Sequence, residues 1–67
     1  MAVARIIEVI GVSNDGFEEA LNAGLKRANK TLRGIKGIEL ISQKVNIENG
    51  KIKNYVVRMK IEFVLEE

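Results

Sequence analysis

The 67-residue sequence predicts an α+β fold of order β-α-β-β, with a three-stranded antiparallel sheet wrapped around one helix. Three features predict it. The opening run Ala2–Gly11 is rich in Val and Ile, and is too short and too β-branched to favour a helix. A middle segment repeats apolar residues at spacings of three and four, the period of a helix with one buried face. The remainder reads as strand on both sides of Asn49-Gly50, the dipeptide that a two-residue type I′ hairpin favours.

In the first strand both alternating sets carry large aliphatics, Val3, Ile7 and Val9 on one and Ile6 and Ile10 on the other. Arg5 and Glu8 interrupt them, and neither face reads as wholly solvated. Ser13 stands where an N-cap belongs, followed by Asp15, Glu18 and Glu19 at the positive end of the helix dipole, so the helix is expected to start near Asn14. Phe17, Ala20, Leu21, Gly24, Ala28, Thr31 and Leu32 then draw an apolar stripe down about five turns. Gly24 on that stripe costs about 1 kcal/mol relative to Ala, which predicts a close backbone approach to a neighbour. Lys26, Arg27, Lys30 and Arg33 gather in the last turns, and Gly34 follows as a left-handed stop.

If Asn49 and Gly50 are the loop, Glu48 faces Lys51 and Ile47 faces Ile52. Counting outward sets Ile41 opposite Arg58, Leu40 opposite Met59 and Ile38 opposite Ile61. Tyr55, Val57, Met59, Ile61, Phe63 and Leu65, with Leu40 and Ile38, then form the core face that covers the helix. The other face mixes Ile41, Val45, Ile47, Ile52 and Val56 with Arg58, Lys60 and Glu62, too apolar for a surface wetted throughout, and predicts subunit contacts. A bulge in strands this long would shift the register by one and exchange residues between the faces. With no repeat, linker or low-complexity stretch, residues 1–67 read as one domain.

Composition narrows the function. The chain has no Cys and no His, hence no thiol or imidazole nucleophile, no general base titrating near neutrality and none of the usual zinc or haem ligands. Ser13, Ser42, Thr31, Tyr55 and the lysines have no recognisable activating neighbour, so an enzyme is not expected. A net charge of +2 falls short of the bias of an obligate nucleic-acid binder. No apolar run approaches the roughly 20 residues that span a bilayer, no secretory signal opens the chain, and a cytoplasmic location is expected. A chain this short buries only about 60% of its unfolded surface, and without disulfide or metal staples it is expected to self-associate.

The element order and three patches resemble the dodecin family: Ile10-Gly11-Val12-Ser13 at the strand-to-helix junction, Ala28, Thr31, Leu32 and Arg33 late in the helix, and Tyr55 to Leu65 in the last strand. The resemblance covers nearly the whole chain. It implies a hollow homododecamer that binds flavins in pairs and stores them. In flavin-binding dodecins a Trp early in the second strand stacks on the isoalloxazine, and a Gln after the third-strand Tyr hydrogen-bonds its edge. Gly37 and Val56 stand at those positions, so the stacked site is expected to be altered or lost. Arg27, Thr31, Arg33 and Lys44 match family positions that contact phosphate-bearing ligands such as FMN or coenzyme A, and Lys30 stands beside them. The alternative for these cations is a solvated face complementing the helix dipole.

Two other readings are open. The resemblance also admits a calcium-binding or ligand-free structural shell, although Asp15, Glu18, Glu19, Glu39, Glu48, Glu62, Glu66 and Glu67 show no ligand spacing of their own. Gly34-Ile35-Lys36-Gly37 spells the GxxG with which KH domains clamp a nucleic-acid backbone, but here it joins a helix to a strand.

Overall fold

The computed structural model describes residues 3–66. They form β1 (Val3–Ser13), α1 (Phe17–Thr31), β2 (Ile35–Glu48) and β3 (Lys51–Glu66), in the expected order. Ala2, where the first strand was expected to begin, lies outside the described residues, as does Glu67. The sheet order is β1-β3-β2 with both pairings antiparallel, so β3 is central and β1 and β2 are edges.

The helix starts later than its cap signals predict. Ser13 stays extended opposite Tyr55 because the β1-β3 ladder runs to the end of β1, and the non-local pairing overrides the cap propensity. Ser13 Oγ instead accepts a 3.0 Å hydrogen bond from the Asp15 N–H in the connecting turn. Gly16 is the N-cap and has no side chain to cap with, so Glu18 and Glu19 in the first turn are left to complement the dipole. The first turn closes as the Ala20 N–H donates to the Gly16 carbonyl at 3.0 Å. At the far end Leu32 is extended, its N–H donating to the Ala28 carbonyl, and Gly34 at φ 72° turns the chain into β2.

The apolar stripe packs as expected, with Ala20, Gly24 and Ala28 buried against Val57, Met59 and Ile61. Small residues bring the backbones together. A Cβ on Gly24 would stand 2.8 Å from Met59 Cε, and one on Gly11 would stand 2.0 Å from the Ala20 carbonyl oxygen. Phe17 meets Tyr55 edge to face, with ring centroids 5.1 Å apart.

The hairpin turns at Asn49 and Gly50, with φ of 54° and 76°, and pairs Glu48 with Lys51 and Ile47 with Ile52 as predicted. Beyond that pair the register slips, because Lys53 is an extra residue in β3 and Asn46 faces Asn54. The amide of Asn46 donates to Asn54 Oδ1 at 2.8 Å. A second bulge at Ile41 in β2 restores the count, so Leu40 opposite Met59 and Ile38 opposite Ile61 agree with prediction. Between the bulges the expectation fails: Ser42, not Ile41, faces Arg58, and Val45 faces Tyr55.

Leu65 and Leu40, expected in the core, are 54% and 48% exposed. Length explains this. A 15-residue helix spans about 22 Å, whereas the sheet runs the full 52 Å of the molecule. The helix packs on β1 and β3, and of β2 only Ile35 and Ile38 are packed against the core. The result is a plate of 52 × 20 × 13 Å whose radius of gyration, 13.8 Å, exceeds the roughly 11 Å of a compact chain of this length. Among the described residues six apolar side chains are buried while ten large ones are exposed.

Candidate functional site

The face of the sheet turned away from α1 carries two cavities, one at each position expected to bear on a ligand. Around Gly37 a hollow of about 170 Å³ is lined by Ile6, Ile38, Glu39, Lys60 and Glu62. Gly37 offers no ring to stack on, and Glu62 Oε1 lies 3.4 Å from where a Cβ of residue 37 would be. Around Val56 a hollow of about 190 Å³ is lined by Ile10, Ser42, Lys44 and Arg58. Val56 supplies an apolar floor and no hydrogen-bonding group. Gly37 pairs with Glu62, six residues along β3 from Val56, a separation of roughly 20 Å. One ring system cannot touch both positions of the same chain.

A third cavity, about 220 Å³, curls round the free edge of β1 beneath the helix. Arg27 and Thr31 line it over an apolar floor that includes Val9, Ile10, Gly24 and Ala28. The four candidate phosphate contacts are therefore not one cluster in a single chain. Arg27 and Thr31 share this groove, Lys44 lies on the open sheet face, and Arg33 is exposed beyond the helix end.

The bulge at Ile41 decides which β2 side chains reach the Val56 hollow. Without it Ile41 and Gln43 would face Arg58 and Val56; with it Ser42 and Lys44 do. Arg58 and Ser42 were missed as site residues for that reason. The polar alternation Ser42, Lys44, Asn46 was the available signal.

Gly34 to Gly37 is not a free loop. Ile35 to Gly37 are already β2, paired with Phe63 and Glu62, and the Gly34 carbonyl accepts from the Val64 N–H at 3.0 Å. Its backbone is committed to the sheet, which removes the KH-type clamp. Among the described residues no group of three or more acidic side chains is gathered as a metal site, and no helix is long and apolar enough to cross a membrane.

The family profile of dodecin matches residues 3–66, all of the described chain. The chain belongs to the dodecin family. A dodecin from Thermus thermophilus is 37% identical over 65 residues, covering 97% of this chain and 94% of its own. A crystal structure of a Thermus thermophilus protein superposes with a TM-score of 0.94 at 36% identity, covering 100% of this chain and 98% of that one. The calcium dodecin of Mycobacterium tuberculosis, a calcium-chelating antigen with its own calcium-binding site, superposes at 0.82 and 27% identity over 91% of this chain and 87% of that one. The dodecin fold thus has its helix, sheet order and open face in this chain. Gly37 and Val56 line the two hollows of that open face.

Proposed function

We propose that the protein is a cytoplasmic, non-catalytic binding and storage protein that assembles twelve copies into a hollow shell. The observation that carries the assembly is the imbalance of apolar surface: among the described residues ten large hydrophobic side chains are exposed, against six buried apolar ones. The chain's accessible surface of 5119 Å² exceeds the roughly 4,250 Å² of a folded monomer of 7.5 kDa. Copies packed edge to edge and face to face remove that excess from water.

The ligand is a small molecule of the kind dodecins hold, FMN or riboflavin or coenzyme A, bound without the usual stacking. Gly37 gives no π face, Val56 gives no partner to the polar edge of a flavin, and the Glu62 carboxylate lies beside the vacant stacking position. Arg27, Thr31, Arg33 and Lys44 remain the contacts for a phosphate group, and only neighbouring copies can bring the helix pair and Lys44 to one ligand. Native mass spectrometry of protein purified without added ligand tests both halves of this reading. Twelve subunits are expected, and any retained molecule is weighed in the same spectrum. A monomer or dimer would overturn the shell.

A further inference from the structure

The hairpin tip is lightly held. Two regular pairs, Glu48 with Lys51 and Ile47 with Ile52, separate the Asn49-Gly50 turn from the bulge at Lys53. Ile47 and Ile52 are 58% and 53% exposed, so little apolar burial fastens them. The Lys53–Glu48 ion pair, 3.5 Å long, is exposed on both sides and contributes little. A Cβ on Gly50 would meet nothing within 4 Å. Asn49, at φ 54°, is among the described residues the one non-glycine in the left-handed region, a conformation that L side chains adopt at a cost. Segments with few buried contacts and exposed backbone open locally without global unfolding.

The other five asparagines of the chain are placed differently. The Asp15 N–H that follows Asn14 donates to Ser13 Oγ at 3.0 Å. Asn22 and Asn29 lie inside α1, where the next N–H is committed to the helix ladder. Asn46 and Asn54 bond to each other at 2.8 Å within the sheet. At the tip, neither the Asn49 amide nor the Gly50 N–H has a hydrogen-bond partner among the described residues, and both residues are exposed. Gly50 also carries no side chain to shield its nitrogen.

We infer that Asn49 is a site of spontaneous deamidation in the folded protein. In the left-handed conformation Cβ and the following nitrogen stand on opposite sides of the Cα–C bond, so the turn swings open first. The Gly50 nitrogen then bonds to Asn49 Cγ, the Cγ–Nδ2 bond breaks, and the Gly50 proton leaves with the amide nitrogen as ammonia. Water opens the resulting succinimide. Addition at Cγ leaves an aspartate in the original chain, and addition at the main-chain carbonyl leaves an isoaspartate. Either product sets a carboxylate beside Glu48 and lowers the net charge of +2 by one. Isoaspartate also adds a methylene to the main chain, which a two-residue type I′ turn does not accommodate. The Lys53 bulge already interrupts the ladder, so the change stays within the two tip pairs and the sheet beyond keeps its register.

The test incubates the whole protein, as purified, in mildly alkaline buffer made with heavy-oxygen water, so that only carboxylates formed during the incubation carry label. Peptide mapping then locates them. Label is expected at residue 49, with isoaspartate as the major product, at least about tenfold faster than at any other asparagine. The native rate at residue 49 is expected within about tenfold of the rate in denaturant, because opening the tip costs little. No label at residue 49, labelling of the other asparagines as fast, or a native rate far below the denatured one would overturn the site. The isoaspartate form, separated by ion exchange, is expected to keep the circular dichroism and subunit number of the parent. Loss of either would show that the bulge does not confine the change.

Discussion

Gly11→Ala and Gly24→Ala make a paired test of how α1 is seated on the sheet. Both glycines face the helix-sheet contact, but what a methyl would meet differs. At Gly11 the new Cβ would lie 2.0 Å from the Ala20 carbonyl oxygen and 2.9 Å from its carbon, both helix backbone, with the Gly24 nitrogen at 3.3 Å. Relieving a contact that close requires the whole helix to move by more than 1 Å, out of register with Met59 and Val57. Overpacking costs typically 1 to 3 kcal/mol, and a rigid backbone neighbour sets this case at about 3 kcal/mol or beyond. At Gly24 the methyl would meet Met59 Cε at 2.8 Å and Sδ at 3.3 Å, the far end of a flexible side chain. Met59 can turn away, and Ala regains about 1 kcal/mol of helix propensity. Gly24→Ala is therefore expected within about 1 kcal/mol of the parent. A chain of this length has a stability of about 3 to 10 kcal/mol, so Gly11→Ala removes much or all of it. Guanidinium unfolding followed by circular dichroism at one fixed protomer concentration measures both, since assembly makes stability concentration-dependent. A Gly11→Ala protein as stable as the parent, or a Gly24→Ala protein that loses as much as Gly11→Ala, would refute the close seating of the helix.

Two further outcomes are expected. Gly50→Ala meets no atom within 4 Å, so its cost is that of placing a Cβ residue at φ 76°; a loss of about 1 kcal/mol in the same unfolding assay is expected, and no loss would show that the turn has another conformation. Combining Gly37→Trp with Val56→Gln restores a stacking ring and an edge hydrogen bond, together about 2 kcal/mol, and should raise riboflavin affinity roughly 30-fold by fluorescence quenching. Unchanged affinity would mean that Glu62, and not the missing ring, controls access to the Gly37 hollow.

The sequence carried the element order, the interior of the helix and the hairpin tip, and each of these is local. The stripe of Ala20, Gly24 and Ala28 is a periodicity, Asn49-Gly50 is a turn chemistry requiring two positive φ values, and both are legible within a few residues. The cap at Ser13 was an equally local signal, and it failed because thirteen residues into the chain the ladder with β3 still had pairs to make, down to Tyr55. The candidate site was half legible. Lys44, Gly37 and Val56 could be named, but a register counted from the hairpin gave Ile41, not Ser42, to Arg58, and missed the pocket those residues share with Lys44.

What tertiary structure alone decided is where the sheet departs from regular pairing. Lys53 and Ile41 are extra residues on opposite strands, and because one offsets the other, the pairs on either side of them agree with a bulge-free count while the residues between change faces. No local propensity marks such a position. It is set by pairing between residues far apart in the chain, Asn46 with Asn54 and Ser42 with Arg58, which places Ser42 and Lys44 on the open face beside Arg58 and Val56.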